Sequence, residues 1–325
     1  MKNVKRDVRK GSVRAILFIE DTPWYYSSIL PVIYKETLFH TKQLMDKSLN
    51  DTQRLLHMRG RPKILLAKSY ETAEKYFKLY KNNILGIISD IRFPKEGKLH
   101  HHAGILFTKY VQSVEKTMPI LLQSNENEAL EFAKTITPHV LNKKSSTLFS
   151  NLREFLINNL GFGDFVFKSQ KGDEINRARN IEELVEILEI IPEESLNYHA
   201  SQNHFSNWLA ARGEFNLATQ FRKIKSNEYN THKQRRETLM NMINKSQKTR
   251  GVGSVAEFKH SKRSLRENFL RIRSGSLGGK ARGLAFANFF WKETHLSEKY
   301  SEVTFRVPKV VVIGTDEFDE FMDVN

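Results

Sequence analysis

Short apolar runs that stop abruptly at polar or acidic residues recur along the first half of the chain. Ala15-Ile16-Leu17-Phe18-Ile19 stops at Glu20-Asp21. Ile84-Leu85-Gly86-Ile87-Ile88 stops at Ser89-Asp90, and Pro119-Ile120-Leu121-Leu122 stops at Gln123-Ser124. Ile64-Leu65-Leu66-Ala67 and His139-Val140-Leu141 are two more of the kind. Continuous apolar runs bounded by polar residues predict strands buried on both faces. Helical periodicity fills the intervals. Tyr70 to Tyr80 places Ala73, Phe77 and Tyr80 on one face, and 125–135 is similar. Residues 146–160 follow with Leu148, Leu152, Phe155, Leu156 and Leu160. Strands that alternate with helices predict an α/β fold, a doubly wound five-stranded parallel sheet over about 1–160.

The pattern changes after Gly161-Phe162-Gly163. Residues 181–191 read as an amphipathic helix ended by Pro192, and 195–222 as one further helical stretch carrying Phe205, Trp208, Leu209, Phe215, Leu217, Ala218 and Phe221. This predicts a small helical module over 161–225. Residues 226–255, polar, basic and containing Gly251-Val252-Gly253, read as a linker. The last part, 256–325, has a glycine-rich stretch, a helix and a strand at Val310 to Ile313.

Composition narrows the class. The 325 residues are 39% hydrophobic and 11% aromatic, enough to fill real cores. No apolar run approaches the ~18 residues that span a bilayer, so no membrane partner is expected. The basic N-terminus precedes only a five-residue apolar run, shorter than a secretory signal needs, and a cytoplasmic location is the simplest expectation. The absence of cysteine excludes disulfides, thiolate metal sites and cysteine nucleophiles. The net charge is +15, and the segment from Arg222 to Arg282 carries +13 of it.

In an open parallel sheet, ligands bind beyond the carboxyl ends of the strands. Glu20, Asp21 and Asp90 fall at such ends, Ser124 ends the fourth strand and Lys143 follows the fifth. Three carboxylates in one crevice repel, and a hard divalent cation would relieve them. A hydroxyl and an ammonium beside them suit a phosphoryl group. This constellation resembles the receiver domain of bacterial response regulators, which have a flavodoxin-like fold. The resemblance implies that Glu20, Asp21, Asp90 and the Arg92 backbone carbonyl hold Mg2+, and that Asp90 is the phosphoacceptor. It further implies that Ser124 and Lys143 bind the phosphoryl oxygens, and that a sensor histidine kinase or a small phosphodonor is the source. Two departures stand out. Asp21 and Asp90 are 69 residues apart, longer than the family's usual interval, and no aromatic stands near Val140, where the family has its switch residue.

A second constellation is Arg273-Ser274-Gly275-Ser276-Leu277-Gly278-Gly279-Lys280. Glycines let a backbone approach an anion, and a lysine at a helix start adds a point charge. The stretch is not a P-loop, because Ala281 follows Lys280, and no strand is expected before it. Together with Val307 to Phe318 it resembles the start of the ATP-grasp-like nucleotide-binding domain of phosphoenolpyruvate synthases and pyruvate phosphate dikinases. That resemblance implies ATP as a cofactor, with Gly278, Gly279 and Lys280 at its phosphates. It covers about 50 residues of an incomplete domain, so this chain by itself is not expected to be catalytically complete. Asn325 falls just past a helix start, and the remainder of a phosphoenolpyruvate-synthase-like chain is expected as a partner.

The function expected is phosphorelay signalling, a receiver regulating an attached ATP-dependent phosphotransferase. The alternatives are a receiver that serves only as a docking scaffold of a dikinase-type enzyme, or a basic nucleic-acid-binding response regulator. Nucleic acid is not expected, since the basic segment has little aromatic interleaving. His100-His101-His102 is expected as a solvated loop, and His199 and His204 in helix packing or capping.

Overall fold

A computed structural model describes residues 13–46, 58, 60–169, 171–223, 232–250, 256–257, 269–272, 277–293, 308 and 310–324. The chain forms two compact units. One comprises the described residues within Met1–His40 and Arg59–Met240, the other those within Thr41–Met58 and Asn241–Asn325.

The first unit is built on β1 (Ala15–Ile19), β2 (Lys63–Ala67), β3 (Ile84–Asp90), β6 (Ile120–Ser124) and β7 (Val140–Asn142). They form one sheet in the order β2-β1-β3-β6-β7, and every pairing is parallel. The chain therefore runs outward in both directions from β1 and β3, which makes their carboxyl ends the topological switch point. Five apolar runs become five strands because β1, β3 and β6 are buried along their whole length. Their register is fixed with them, since a one-residue slip would turn every side chain to the other face.

Helices α1 (Pro23–Asp46), α2 (Tyr70–Tyr80), α3 (Ala103–Val114), α4 (Asn127–Lys134) and α5 (Leu148–Asn158) complete this fold. Ser69 caps α2 by accepting a hydrogen bond from the Thr72 N–H. Alternate residues of β1, Ala15, Leu17 and Ile19, share a core with Phe77 of α2, Phe107 of α3 and Leu130 of α4. Ile16 and Phe18 point to the opposite face. Gly86 of β3 lies so near the end of α5 that an added Cβ would stand 3.0 Å from Leu160 Cδ1. The long interval between Asp21 and Asp90 holds α1, which is 24 residues long. Two short strands unannounced by the sequence, β4 (Phe93–Lys95) and β5 (Lys98–His100), form a hairpin after Asp90. Glu96 and Gly97, both at positive φ, make its turn.

The region read as a separate helical module belongs to the same compact unit. It contains the hairpin β8 (Phe165–Lys168) and β9 (Glu174–Ala178), then α6 (Ile181–Ile190), α7 (Glu193–Ser201), α8 (His204–Ala211) and α9 (Phe215–Lys223). The single helix expected over 195–222 is thus three. Asn203 in the left-handed region and Gly213 at φ 80° break it. Gly161 also has positive φ, and an added Cβ there would lie 2.8 Å from Trp208 Cα, so α8 presses on the turn that leaves α5. His40 of α1 ties into the same place, its ring nitrogens 3.0 and 2.8 Å from the carbonyl oxygens of Phe162 and Ala211.

The stretch expected as a linker is largely α10 (His232–Arg250). It has no Gly or Pro before position 251, and Leu239 and Ile243, four residues apart, are both buried. Residues 224–231 and 251–255 lie outside the described residues. The second unit has a three-stranded parallel sheet, β10 (Ala256–Glu257), β11 (Phe269–Ile272) and β12 (Val310–Ile313), in that order. Helices α11 (Gly279–Glu293) and α12 (Thr315–Val324) accompany it. A strand, β11, thus precedes the glycine-rich stretch, contrary to the sequence expectation. Phe269 to Ile272 is only four residues long and holds Arg271, which hides it in a basic segment.

The two histidines of the helical module form a buried pair. The Lys168 N–H donates to His199 Nε2 at 2.8 Å, so that nitrogen accepts and the hydrogen sits on Nδ1. His199 Nδ1 then donates to His204 Nδ1 at 3.0 Å. Burial, with His204 and Lys168 as further positive neighbours, lowers the His199 pKa to about 3. Burial, then Lys168 and His139, lowers that of His204 to about 4. The folded state keeps both rings neutral while the unfolded chain binds protons below about pH 6.5, so stability is lost as pH falls from there toward 4. Unfolding by denaturant at pH 5 should require roughly 2 kcal/mol less per histidine than at pH 7. His199→Gln should flatten that dependence, as tryptophan fluorescence would register.

Candidate functional site

The sheet order brings the predicted residues together. Glu20 follows β1, where its N–H donates to the Ala67 carbonyl at 3.0 Å. Asp90 closes β3, and its Oδ1 accepts from the Ile91 N–H at 2.8 Å. Lys143 follows β7, with its N–H on the Ser124 carbonyl at 2.9 Å. Its ammonium lies 2.6 Å from Glu20 Oε2 and 2.7 Å from Asp90 Oδ2. Glu20, Asp21 and Asp90 each offer a carboxylate oxygen within 4.8 Å of the others. Ser124 Oγ accepts from the Glu126 N–H at 3.1 Å. Arg92 is exposed, and its guanidinium pairs with Glu126 at 3.0 Å.

Three residues that the sequence did not single out belong to the same place. Gln123, wholly buried at the end of β6, donates from Nε2 to Glu20 Oε2 at 3.1 Å, while its Oε1 has no hydrogen-bond partner. Tyr25, one turn into α1, donates to Asn125 Oδ1 at 3.0 Å, and the Lys143 ammonium stands 4.3 Å from its ring centre. Gly104 at the start of α3 fits only as glycine, because a Cβ would lie 2.1 Å from the Asp90 carbonyl oxygen. A cleft of about 160 Å3 opens here, lined by Asp21, Thr22, Tyr25, Asp90, Arg92, Leu99, Ser124, Asn125, Glu126 and Lys143. The polar end of an otherwise apolar run was the available signal for Gln123. For Tyr25 it was an aromatic four residues after Asp21.

One ammonium does not balance three carboxylates. Burial first, then the charge of Asp90, pushes the Glu20 pKa up to about 7, although Lys143 and the Thr22 N–H pull it down. Burial likewise raises Asp90, again against the pull of Lys143. The residues fit a hard divalent cation: three carboxylate donors converge, and a buried amide oxygen beside them lacks a partner.

In the second unit Gly278, Gly279 and Lys280 are exposed at the start of α11, with open space where Cβ atoms of the two glycines would stand. Residues 273–276 of the motif lie outside the described residues. Of the three adjacent histidines expected in a solvated loop, His100 instead ends β5 half-buried, while His101 and His102 are exposed.

No family model and no curated protein matches the sequence. Among solved structures, the chain is similar to one described as a response regulator receiver domain protein from Clostridium thermocellum. The TM-score is 0.30 and the identity 14%, over 43% of this chain and 90% of that one. The α/β doubly wound assignment rests on the strand order and not on that likeness. Among the described residues, no helix is long and apolar enough to cross a membrane.

The excess negative charge predicts a metal response. Mg2+ at a hundredfold excess over its dissociation constant should stabilise the first unit by about 2.7 kcal/mol, read as a rise in melting temperature. Asp21→Asn and Asp90→Asn should each shrink that rise. An equal rise in the double variant would place the metal elsewhere.

Proposed function

We propose that the first unit is a phosphorylation-dependent receiver, with Asp90 as phosphoacceptor. The carrying observation is the Lys143 ammonium held between Glu20 and Asp90 at the carboxyl ends of neighbouring parallel strands. In the reaction an Asp90 carboxylate oxygen bonds to phosphorus as the bond from phosphorus to the donor's leaving group breaks. The leaving group departs with the electron pair. Lys143 neutralises charge at the reacting carboxylate. Its reach from β7 lets it stay on Glu20 while its contact with Asp90 passes to a phosphoryl oxygen. Ser124 lines the same cleft, its hydroxyl hydrogen free to turn toward that oxygen. Glu20, Asp21, Asp90 and the Arg92 carbonyl would hold Mg2+, which supplies positive charge against phosphoryl oxygens. The donor is a sensor histidine kinase or a small phosphodonor such as acetyl phosphate.

The second unit supports a phosphate-binding role for its glycine-lysine loop. In sequence order, a parallel strand is followed by the glycine-rich stretch and then by a helix with Lys280 in its first turn. Backbone N–H groups at a helix N-terminus suit an anion. ATP is the ligand in this reading, and the receiver controls a phosphoenolpyruvate-synthase-like phosphotransferase of which this unit is the beginning. The boundaries proposed are 1–160 for the receiver, 161–225 for the helical module and 256–325 for the start of the ATP-binding domain.

Intact mass after treatment with acetyl phosphate tests the first part. One phosphoryl group should appear on wild type with Mg2+, little without it, and none on Asp90→Asn. Equal labelling of Asp90→Asn would overturn the assignment. For the second part, Lys280→Ala should weaken ATP binding to the full chain by about 1.5–3 kcal/mol, the loss of one charge-assisted contact, as titration calorimetry would measure.

A further inference from the structure

We propose that Tyr25 is a clasp: it restrains Lys143 and narrows the cleft, so that among small acyl phosphates Asp90 takes the phosphoryl group faster from those with a compact leaving group. The inference rests on the phosphoacceptor reading of Asp90 and assigns a specificity-determining residue within it. Lys143 carries three N–H donors. One meets Glu20 at 2.6 Å and another Asp90 at 2.7 Å. The ammonium also faces the Tyr25 ring, 4.3 Å from its centre. A cation over an aromatic face is attracted to it, more so where water is excluded, and the Lys143 side chain is 2% exposed. Two donors are thus engaged by carboxylates, and an incoming anion must draw the ammonium away from the ring face or from one of those carboxylates.

The phenol also joins two segments that line the cleft. Tyr25 comes from the first turns of α1, which follows the acidic pair, and Asn125 from the loop between β6 and α4, directly after Ser124. The hydrogen bond from the Tyr25 hydroxyl to Asn125 Oδ1 spans 100 positions of sequence. Leu99 of the β4–β5 hairpin lines the same cleft and with Tyr25 supplies the large apolar surface of the lining. The cleft, about 160 Å3, is roughly half of the smallest ordinary ligand pocket, near 300 Å3. That space suits a phosphoryl group on a short acyl chain and not an aryl one.

Acetyl phosphate and benzoyl phosphate make the comparison. Both transfer by the same step: the Asp90 carboxylate oxygen bonds to phosphorus, and acetate or benzoate leaves with the electron pair of the broken phosphorus–oxygen bond. No proton is required. They differ in the bulk of the leaving group. The ratio of labelling rates, benzoyl over acetyl, should be low in wild type. It should rise more than threefold in Tyr25→Phe, which keeps the ring and loses the hydroxyl bridge, and in Asn125→Ala, which removes the acceptor. Tyr25→Leu should raise it furthest, since ring and bridge are both lost. A merely structural role would slow both donors alike and leave the ratio flat. Ratios within threefold of wild type in Tyr25→Phe and Asn125→Ala, with acetyl phosphate still labelling Asp90, would overturn the clasp alone. A wild-type protein that neither donor labels would overturn the phosphoacceptor reading beneath it.

Discussion

The placement of a single ammonium governs the first unit. Lys143 is almost wholly enclosed, and burying a cation is tolerable only where anions meet it at hydrogen-bond distance. Glu20 and Asp90 do so, yet both arrive from other strands, and both are themselves buried. The triad therefore works only if β1 and β3 are neighbours and β7 lies on the same side of them. The order β2-β1-β3-β6-β7 satisfies this. Lys143, anchored through its backbone to Ser124, extends its side chain past β6 to reach the two acids. Sheet order, register and charge pairing thus constrain one another, and Gly104 completes the set by letting α3 approach the Asp90 backbone.

Such a site opposes stability. A carboxylate whose pKa is raised by burial contributes less to folding as pH rises through the raised value, so the metal-free crevice is at its most strained near neutrality. The surrounding core makes this tolerable. β1 is apolar and buried along all five residues, and Phe77 and Phe107 pack edge-to-face beside it. The Gln123 amide adds one hydrogen bond to Glu20, and its oxygen has no hydrogen-bond partner among the described residues, which leaves it available to a cation or a water.

What the sequence revealed, and what it hid, divides along the distance of the interactions. The five strands were legible because each is a continuous apolar run, and their acidic or polar endings marked the crevice without any knowledge of strand order. The β4–β5 hairpin escaped because Phe93-Pro94-Lys95 is too short for periodicity. Its signal was the Glu96-Gly97 turn, where only the glycine is typical. Residues 195–222 read as one helix because their apolar spacing is maintained across Asn203 and Gly213, and only the backbone angles show the breaks. Gln123 and Tyr25 acquire their roles through partners 103 and 100 positions away, which local pattern cannot encode. The helix within the stretch expected as a linker escaped for the opposite reason. Its mean polarity outweighed its buried apolar residues Leu239 and Ile243.

The two lysines singled out from the sequence follow opposite physical strategies. Lys143 sits in a site whose desolvation is met during folding, with its counter-charges, Glu20 and Asp90, already in contact, so its positive charge is oriented before any ligand enters. Lys280 stands exposed at a helix start beside two glycines in open space, where its charge is screened by water and salt. The first can act on a small anion within its own unit. The second could become selective for an anion only where further groups enclosed it, because an exposed cation attracts a negative charge without distinguishing what carries it. A charge that is buried and paired is positioned before its ligand arrives, whereas a charge in solvent takes its geometry from the ligand.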